Sequence, residues 1–136
     1  VVDFLELADV LKIHADQIER YGGLTSLRDS GLLEAAIAMP KQAFGGVMLH
    51  PDVPSMAAAY LFHLVRNHPF TDGNKRTGAA ASNVFLRLNN WRLNCSEDEF
   101  YEITIKTAEG SAEKDQVTQF FRTHAEPLPS AEKPDT

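Results

Sequence analysis

Residues 68–76 read H-P-F-T-D-G-N-K-R and separate two apolar segments that both repeat at helical spacing. Pro69 disfavours the α region for the histidine before it. The pattern after Asn74 is helical again, so the chain leaves one helix at His68 and starts another on Gly73, Asn74, Lys75 and Arg76. Residues 54–67 (P-S-M-A-A-A-Y-L-F-H-L-V-R-N) predict a buried helix that delivers His68 at its exit. Residues 74–89 predict the next, with Ala80, Val84 and Leu88 on one stripe and Ala81 and Phe85 beside it. A helix this apolar on several sides belongs at the centre of a core.

The remaining segments are helical too. From about Glu6 to Tyr21, residues Leu7, Val10, Leu11, His14 and Ile18 recur at helical spacing, until Gly22 and Gly23 stop the run. Val1, Val2, Phe4 and Leu5 ahead of it read as a short extended segment. Asp29 or Ser30 caps a helix carrying Leu32, Leu33, Ala36 and Ile37, and Pro40 ends it. Gly45, Gly46, Val47, Met48 and Leu49 read as a hairpin-like loop. Ser96 to Glu99 matches a capping box, so a helix begins there and runs to Glu109, with Gly110 as the stop. A last helix covers roughly 112–124, with Val117, Phe120 and Phe121 inward. The expected architecture is one all-α domain over 1–125, of about six helices with a short β-hairpin. Residues 126–136, rich in proline and charge, form the expected disordered tail.

Bulk properties exclude several classes. A chain of 136 residues suits one core. The net charge of −6 argues against a direct nucleic-acid partner. No apolar run approaches membrane-spanning length, and no leader pattern is visible. Cys95 is the lone cysteine, which suits a reducing cytoplasm. His14, His50, His63 and His124 show no paired metal-ligand spacing. Trp91 reads as a cover for the core edge and Arg66 as a solvated or phosphate-contacting cation.

The 68–76 turn holds a coherent set of chemical parts. The first N–H groups of a helix lack intrahelical partners and carry positive partial charge, which makes an anion site from backbone alone. Gly73, without a Cβ, lets a phosphate approach. Lys75 and Arg76 in the first turn oppose the helix dipole, an arrangement that makes sense with an anion between them and the helix end. Arg76 offers a fork and Lys75 a point charge. Asp72 reads either as an N-cap or as the carboxylate that holds Mg²⁺ against phosphate oxygens. Asn74 taken alone is a turn residue, and Phe70 is a core anchor. A neutral His68 accepts a proton from an attacking hydroxyl. Phosphates on one side and a base on the other indicate transfer of a phosphorus-containing group.

This stretch resembles the signature of the Fic/Doc superfamily, H-x-F-x-(D/E)-G-N-(G/K)-R. Leu27 to Ala36 is similar to the upstream helix of its death-on-curing (Doc) branch, Ala43 to Gly46 to the flap, and Leu88 to Trp91 to the end of the following helix. The resemblance covers about residues 4–124 and implies a Fic-fold bundle. It implies His68 as general base, Asp72 as Mg²⁺ holder, and Gly73, Asn74, Lys75 and Arg76 as the phosphate site. It also implies that the flap Gly45, Gly46, Val47, Met48 and Leu49 pairs with a target segment by strand addition; read from its residues alone, it is an ordinary connecting hairpin.

Two positions separate the branches of that superfamily. AMP-transferring members have glycine where this chain has Lys75, and a second arginine where it has Ala79. Both departures imply the Doc-like activity: a toxin kinase that moves the γ-phosphate of ATP to a threonine or serine of a translation factor, of which elongation factor Tu is the known type. The self-inhibitory pattern (S/T)-x-x-x-E-(G/N) is not met, because Ile105 precedes Glu109 and Gly110. Inhibition then falls to a partner, a cognate Phd-like antitoxin. The rivals are AMP or UMP transfer, and a non-catalytic co-repressor bound to a DNA-binding antitoxin.

Overall fold

A computed structural model describes residues 1–129. In chain order it contains α1 (Leu7–Tyr21), α2 (Ser30–Ala38), a 3-10 turn (Met39–Lys41), β1 (Ala43–Phe44), β2 (Val47–Met48), α3 (Val53–Asn67), α4 (Asn74–Leu88), β3 (Trp91–Leu93), α5 (Glu97–Glu109), α6 (Lys114–His124) and β4 (Ala125–Pro127). Among the described residues this is the all-α bundle of six helices with a short hairpin.

Local chemistry sets the boundaries. Asp29 accepts the Leu32 N–H at 3.0 Å and starts α2. Asp52 accepts the Ser55 N–H at 2.8 Å at the start of α3. Ser96 and Glu99 exchange side-chain and backbone bonds to open α5, as the capping box predicts. The flap is a two-residue turn in which Gly45 and Gly46 take φ of 58° and 82°, the hand that hairpins require. The segment before α1 forms no strand; it is tied to the bundle by the Tyr60 hydroxyl, which accepts the Leu5 N–H at 2.9 Å.

α3 is the axis of the molecule. Ten of its fifteen residues are buried, and α2, α4, α5 and α6 all pack on it. Ala57, Ala58 and Ala59 let those neighbours approach, while Tyr60, Leu61 and Leu64 fill the space between them. α4 comes closest at Gly78, where an added Cβ would lie 2.8 Å from Val65 Cγ2 and 3.3 Å from the Leu61 carbonyl oxygen. The two helices that flank the 68–76 turn are therefore locked side by side.

Two expectations are corrected. α4 buries Ala81 and Phe85, whereas Val84 and Leu88 on the other stripe are exposed; on α1, Val10, His14 and Ile18 turn inward and Leu7 and Leu11 do not. The packed domain also runs past residue 125. Ala125–Pro127 pairs antiparallel with Trp91–Leu93, Leu128 donates its N–H to the Asn90 carbonyl at 2.8 Å, and its side chain is buried. Part of the expected tail is thus a strand whose backbone is satisfied by β3; residues 130–136 lie outside the described residues.

Candidate active site

The helix-to-helix turn opens onto a cavity of about 440 Å³ lined by Val65, His68, Thr71, Asp72, Gly73, Asn74, Lys75, Arg76 and Ala108. Every 68–76 residue that the sequence nominates lines it. The flap residues Gly45, Gly46, Val47, Met48 and Leu49 do not.

His68 is the C-cap of α3, in the left-handed region at φ 51°, ψ 52°, and its side chain is exposed at the cavity. A non-glycine residue adopts this conformation only when its surroundings hold it there. Here Arg28 does so: its Nε donates to the His68 carbonyl at 2.6 Å and Nη2 to the Asn67 carbonyl at 2.9 Å. These are carbonyls that the end of α3 leaves open. Residues 26–29 continue the clamp. Arg28 and Asp29 donate their N–H groups to the Pro69 carbonyl, Thr71 donates to the Ser26 carbonyl, and Leu27 bridges Phe70.

Asp72 does not cap α4; the N-cap is Gly73. Its Oδ2 accepts the Leu24 N–H at 2.8 Å, and the half-buried carboxylate faces the cavity. Its backbone carbonyl lies 2.8 Å from Nε2 of His14. Gly73 is required for a reason the sequence did not disclose. Its φ is 81°, and a Cβ would meet Ile18 Cδ1 at 3.1 Å and His14 Cδ2 at 3.6 Å, so the vacant side faces α1.

Asn74 also borders the cavity. Its buried side chain closes two hydrogen bonds with the Phe70 main chain. The turn-residue reading of Asn74 is the one its side chain follows. Lys75 is exposed at the mouth. Arg76 borders the cavity, but its guanidinium reaches α1: Nη1 donates to the Gln17 carbonyl at 3.3 Å and Nη2 to the Gly22 carbonyl at 3.0 Å, over the Tyr21 ring. In this conformation its fork ties the end of α1 to α4.

Arg66 is only partly exposed and does not line the cavity. It donates to the carbonyls of Thr107 and Ala112 and packs over Phe62, closing the exit of α5. That brings Ala108 to the cavity wall. Trp91 is half-buried on β3. Burial and Glu99 push the Cys95 thiol up, against a nucleophilic role. Sequence reasoning missed His14 and Arg28 as supports; His14 was legible only as a member of an inward helical stripe.

Asp72 is the one residue of this turn that could hold a divalent cation. Asp72 has one carboxylate oxygen fixed by Leu24, and the other meets no protein donor among the described residues. That leaves one anionic oxygen beside a helix N-terminus, the kind of single protein ligand Mg²⁺ takes when phosphates and waters complete its shell.

Comparison with known proteins gives a consistent picture. The Fic/DOC family model matches residues 4–86. The chain is 43% identical over 93 residues to "Toxin Doc" of Mycolicibacterium smegmatis, covering 68% of this chain and 69% of that one. It is 32% identical over 114 residues to "Protein kinase doc" of Escherichia phage P1, covering 84% and 89%. The motif, the bundle that carries it and these relatives agree: the chain belongs to the Fic/Doc family.

Proposed function

We propose that this chain is a Doc-like toxin that transfers the γ-phosphate of ATP to a serine or threonine hydroxyl of a translation factor of the elongation factor Tu type. It would act in the cytoplasm, blocking translation until a Phd-like antitoxin covers it. The observation that carries the reading is the convergence of His68, Asp72, Lys75 and the start of α4 on one open cavity. The names of the two relatives described above support it, one a toxin and the other a protein kinase.

His68 at the rim takes the proton of the target hydroxyl as its oxygen attacks Pγ. The new O–Pγ bond forms as the bond from Pγ to the β-phosphate bridging oxygen breaks, and ADP leaves with that electron pair. Lys75 and the first N–H groups of α4 stabilise the transferred phosphoryl group. Asp72 would hold Mg²⁺, which when bound neutralises phosphate charge. Arg76 joins the phosphates if it releases the α1 carbonyls. Lys75 and Ala79, in place of a glycine and a second arginine, support phosphoryl over nucleotidyl transfer. The exposed Phe44, Val47 and Leu49 on the hairpin suit strand addition by the target.

ATP labelled separately at the α and γ positions tests this, with Mg²⁺ and a cell lysate. Label should reach a lysate protein from the γ position only, and His68→Ala should abolish it. Label from the α position alone would replace the kinase reading by nucleotidyl transfer.

A further inference from the structure

We infer that His14 is a positioning residue of this site: it fixes the peptide plane between Asp72 and Gly73, and so sets the aim of both the carboxylate and the first amide offered to phosphate. The inference rests on the nucleotide-binding reading above. His14 lies mid-way along α1, 58 residues from Asp72 in sequence, and is 3% exposed. Its ring lies flat on Phe70, with centroids 3.7 Å apart and planes 6° from parallel. A carbonyl oxygen only accepts, so Nε2, at 2.8 Å from the Asp72 oxygen, carries the proton.

The contact gains its importance from the glycine next to Asp72. Gly73 at φ 81° has no Cβ to resist rotation, so the Asp72–Gly73 peptide lacks the steric lock of an ordinary residue pair. In a trans peptide the N–H points opposite to the C=O. With the carbonyl drawn towards His14 on α1, the Gly73 N–H points away from α1, to the cavity side. Rotation of this plane would turn a carbonyl oxygen towards the anion site and remove one donor from it. It would also pull the Asp72 side chain from the Leu24 N–H that steadies Oδ2. A phenylalanine would fill the same slot on Phe70, so packing alone gives no reason for an imidazole there.

Two variants separate the donor from the ring. His14→Phe keeps the flat stack and loses the N–H; His14→Gln keeps a donor at the reach of Nε2 and loses the ring. Binding of a non-hydrolysable ATP analogue is measured by calorimetry with and without Mg²⁺, alongside the melting temperature and the Gly73 amide resonance. His14→Phe should bind the Mg²⁺ complex at least tenfold more weakly with the Gly73 resonance displaced, and His14→Gln should stay within about threefold of wild type. A folded His14→Phe that binds like wild type overturns the inference, as does a folded His14→Gln as weak as His14→Phe. Should His14→Phe fail to fold, His14→Gln decides alone: near-wild-type binding supports the role of the donor, and weak binding by the folded variant overturns it. A wild-type chain with no Mg²⁺-dependent analogue binding overturns the nucleotide reading itself, and this inference with it.

Discussion

Asn74 and Phe70 hold each other by two hydrogen bonds: the Phe70 N–H donates to Asn74 Oδ1 at 2.9 Å, and Asn74 Nδ2 donates to the Phe70 carbonyl at 2.8 Å. Both residues are buried, so the amide does for Phe70 what a neighbouring strand would do. Asn74→Ala leaves a buried donor and a buried acceptor unmatched, and is expected to cost about 2–4 kcal/mol. Asn74→Asp keeps the acceptor for the N–H but sets a buried carboxylate oxygen against the Phe70 carbonyl in place of a donor, and should cost at least as much. Urea unfolding of the three proteins checks both values. Equal stability of wild type and Asn74→Ala would remove the amide from its structural role.

The same closeness between α3 and α4 makes an unusual demand on Gly78. In an exposed helix, Gly→Ala stabilises by about 1 kcal/mol. Here the added methyl would sit 2.8 Å from Val65 Cγ2 and 3.3 Å from a backbone oxygen, and the backbone cannot yield as a side chain can. Overpacking of this kind costs about 1–3 kcal/mol, so Gly78→Ala should be net destabilising by about 1 kcal/mol. Combining it with Val65→Ala should recover part of that loss, which a double-mutant cycle by urea unfolding would register. A stabilised Gly78→Ala would mean that the helices slide apart freely at this crossing.

The helices were legible because periodicity and caps are local signals. The Ser96 and Glu99 pair marks the start of α5 to the residue, and the apolar run before His68 marks α3. The 68–76 turn between α3 and α4 was legible as well, since its residues are contiguous. What stayed hidden was long-range. The β3–β4 pairing joins residues 34 apart, such as Arg92 and Glu126, and a proline-rich segment gives no strand signal by itself. Arg28 and His14 act on the turn from 40 and 58 residues away, through carbonyl oxygens that every residue type supplies. For the same reason the sequence assigns Arg76 to phosphate, although its guanidinium rests on the Gln17 and Gly22 carbonyls.

Arg76 can be tested on that point. A guanidinium spans two carbonyls with fixed geometry, whereas a lysine presents one ammonium and cannot bridge them in the same way. Arg76→Lys keeps the charge near the cavity but unties α1 from α4. It is expected to lower γ-phosphate transfer at least tenfold and to lower the melting temperature by a few degrees. Arg76→Gln keeps a single donor and loses the charge, and should be as inactive. Transfer rates and thermal unfolding measured on the same samples check this. An Arg76→Lys protein with wild-type activity and stability would show that neither the bridge nor the fork is needed.

His63 supplies a pH dependence remote from the candidate site. It lies on α3 with Nε2 buried and without a hydrogen-bond partner among the described residues, and burial, then Lys114 and His50, hold its pKa down to about 4. Burial and Lys114 also lower His50. In the unfolded chain a histidine titrates near 6.5. Between these values the unfolded chain binds a proton that the folded chain refuses, so stability falls as pH drops from about 6.5 towards 4 and levels off below. Discounted for the partial exposure of the ring, the loss from His63 is on the order of 1–2 kcal/mol, with His50 adding in the same direction. Asp52, whose pKa is also lowered, acts in the same sense only at more acidic pH. Urea midpoints taken from pH 7.5 to pH 4.5 should fall steadily for the wild type. His63→Gln, which does not titrate, should flatten that slope, and an unchanged slope would place the proton uptake elsewhere.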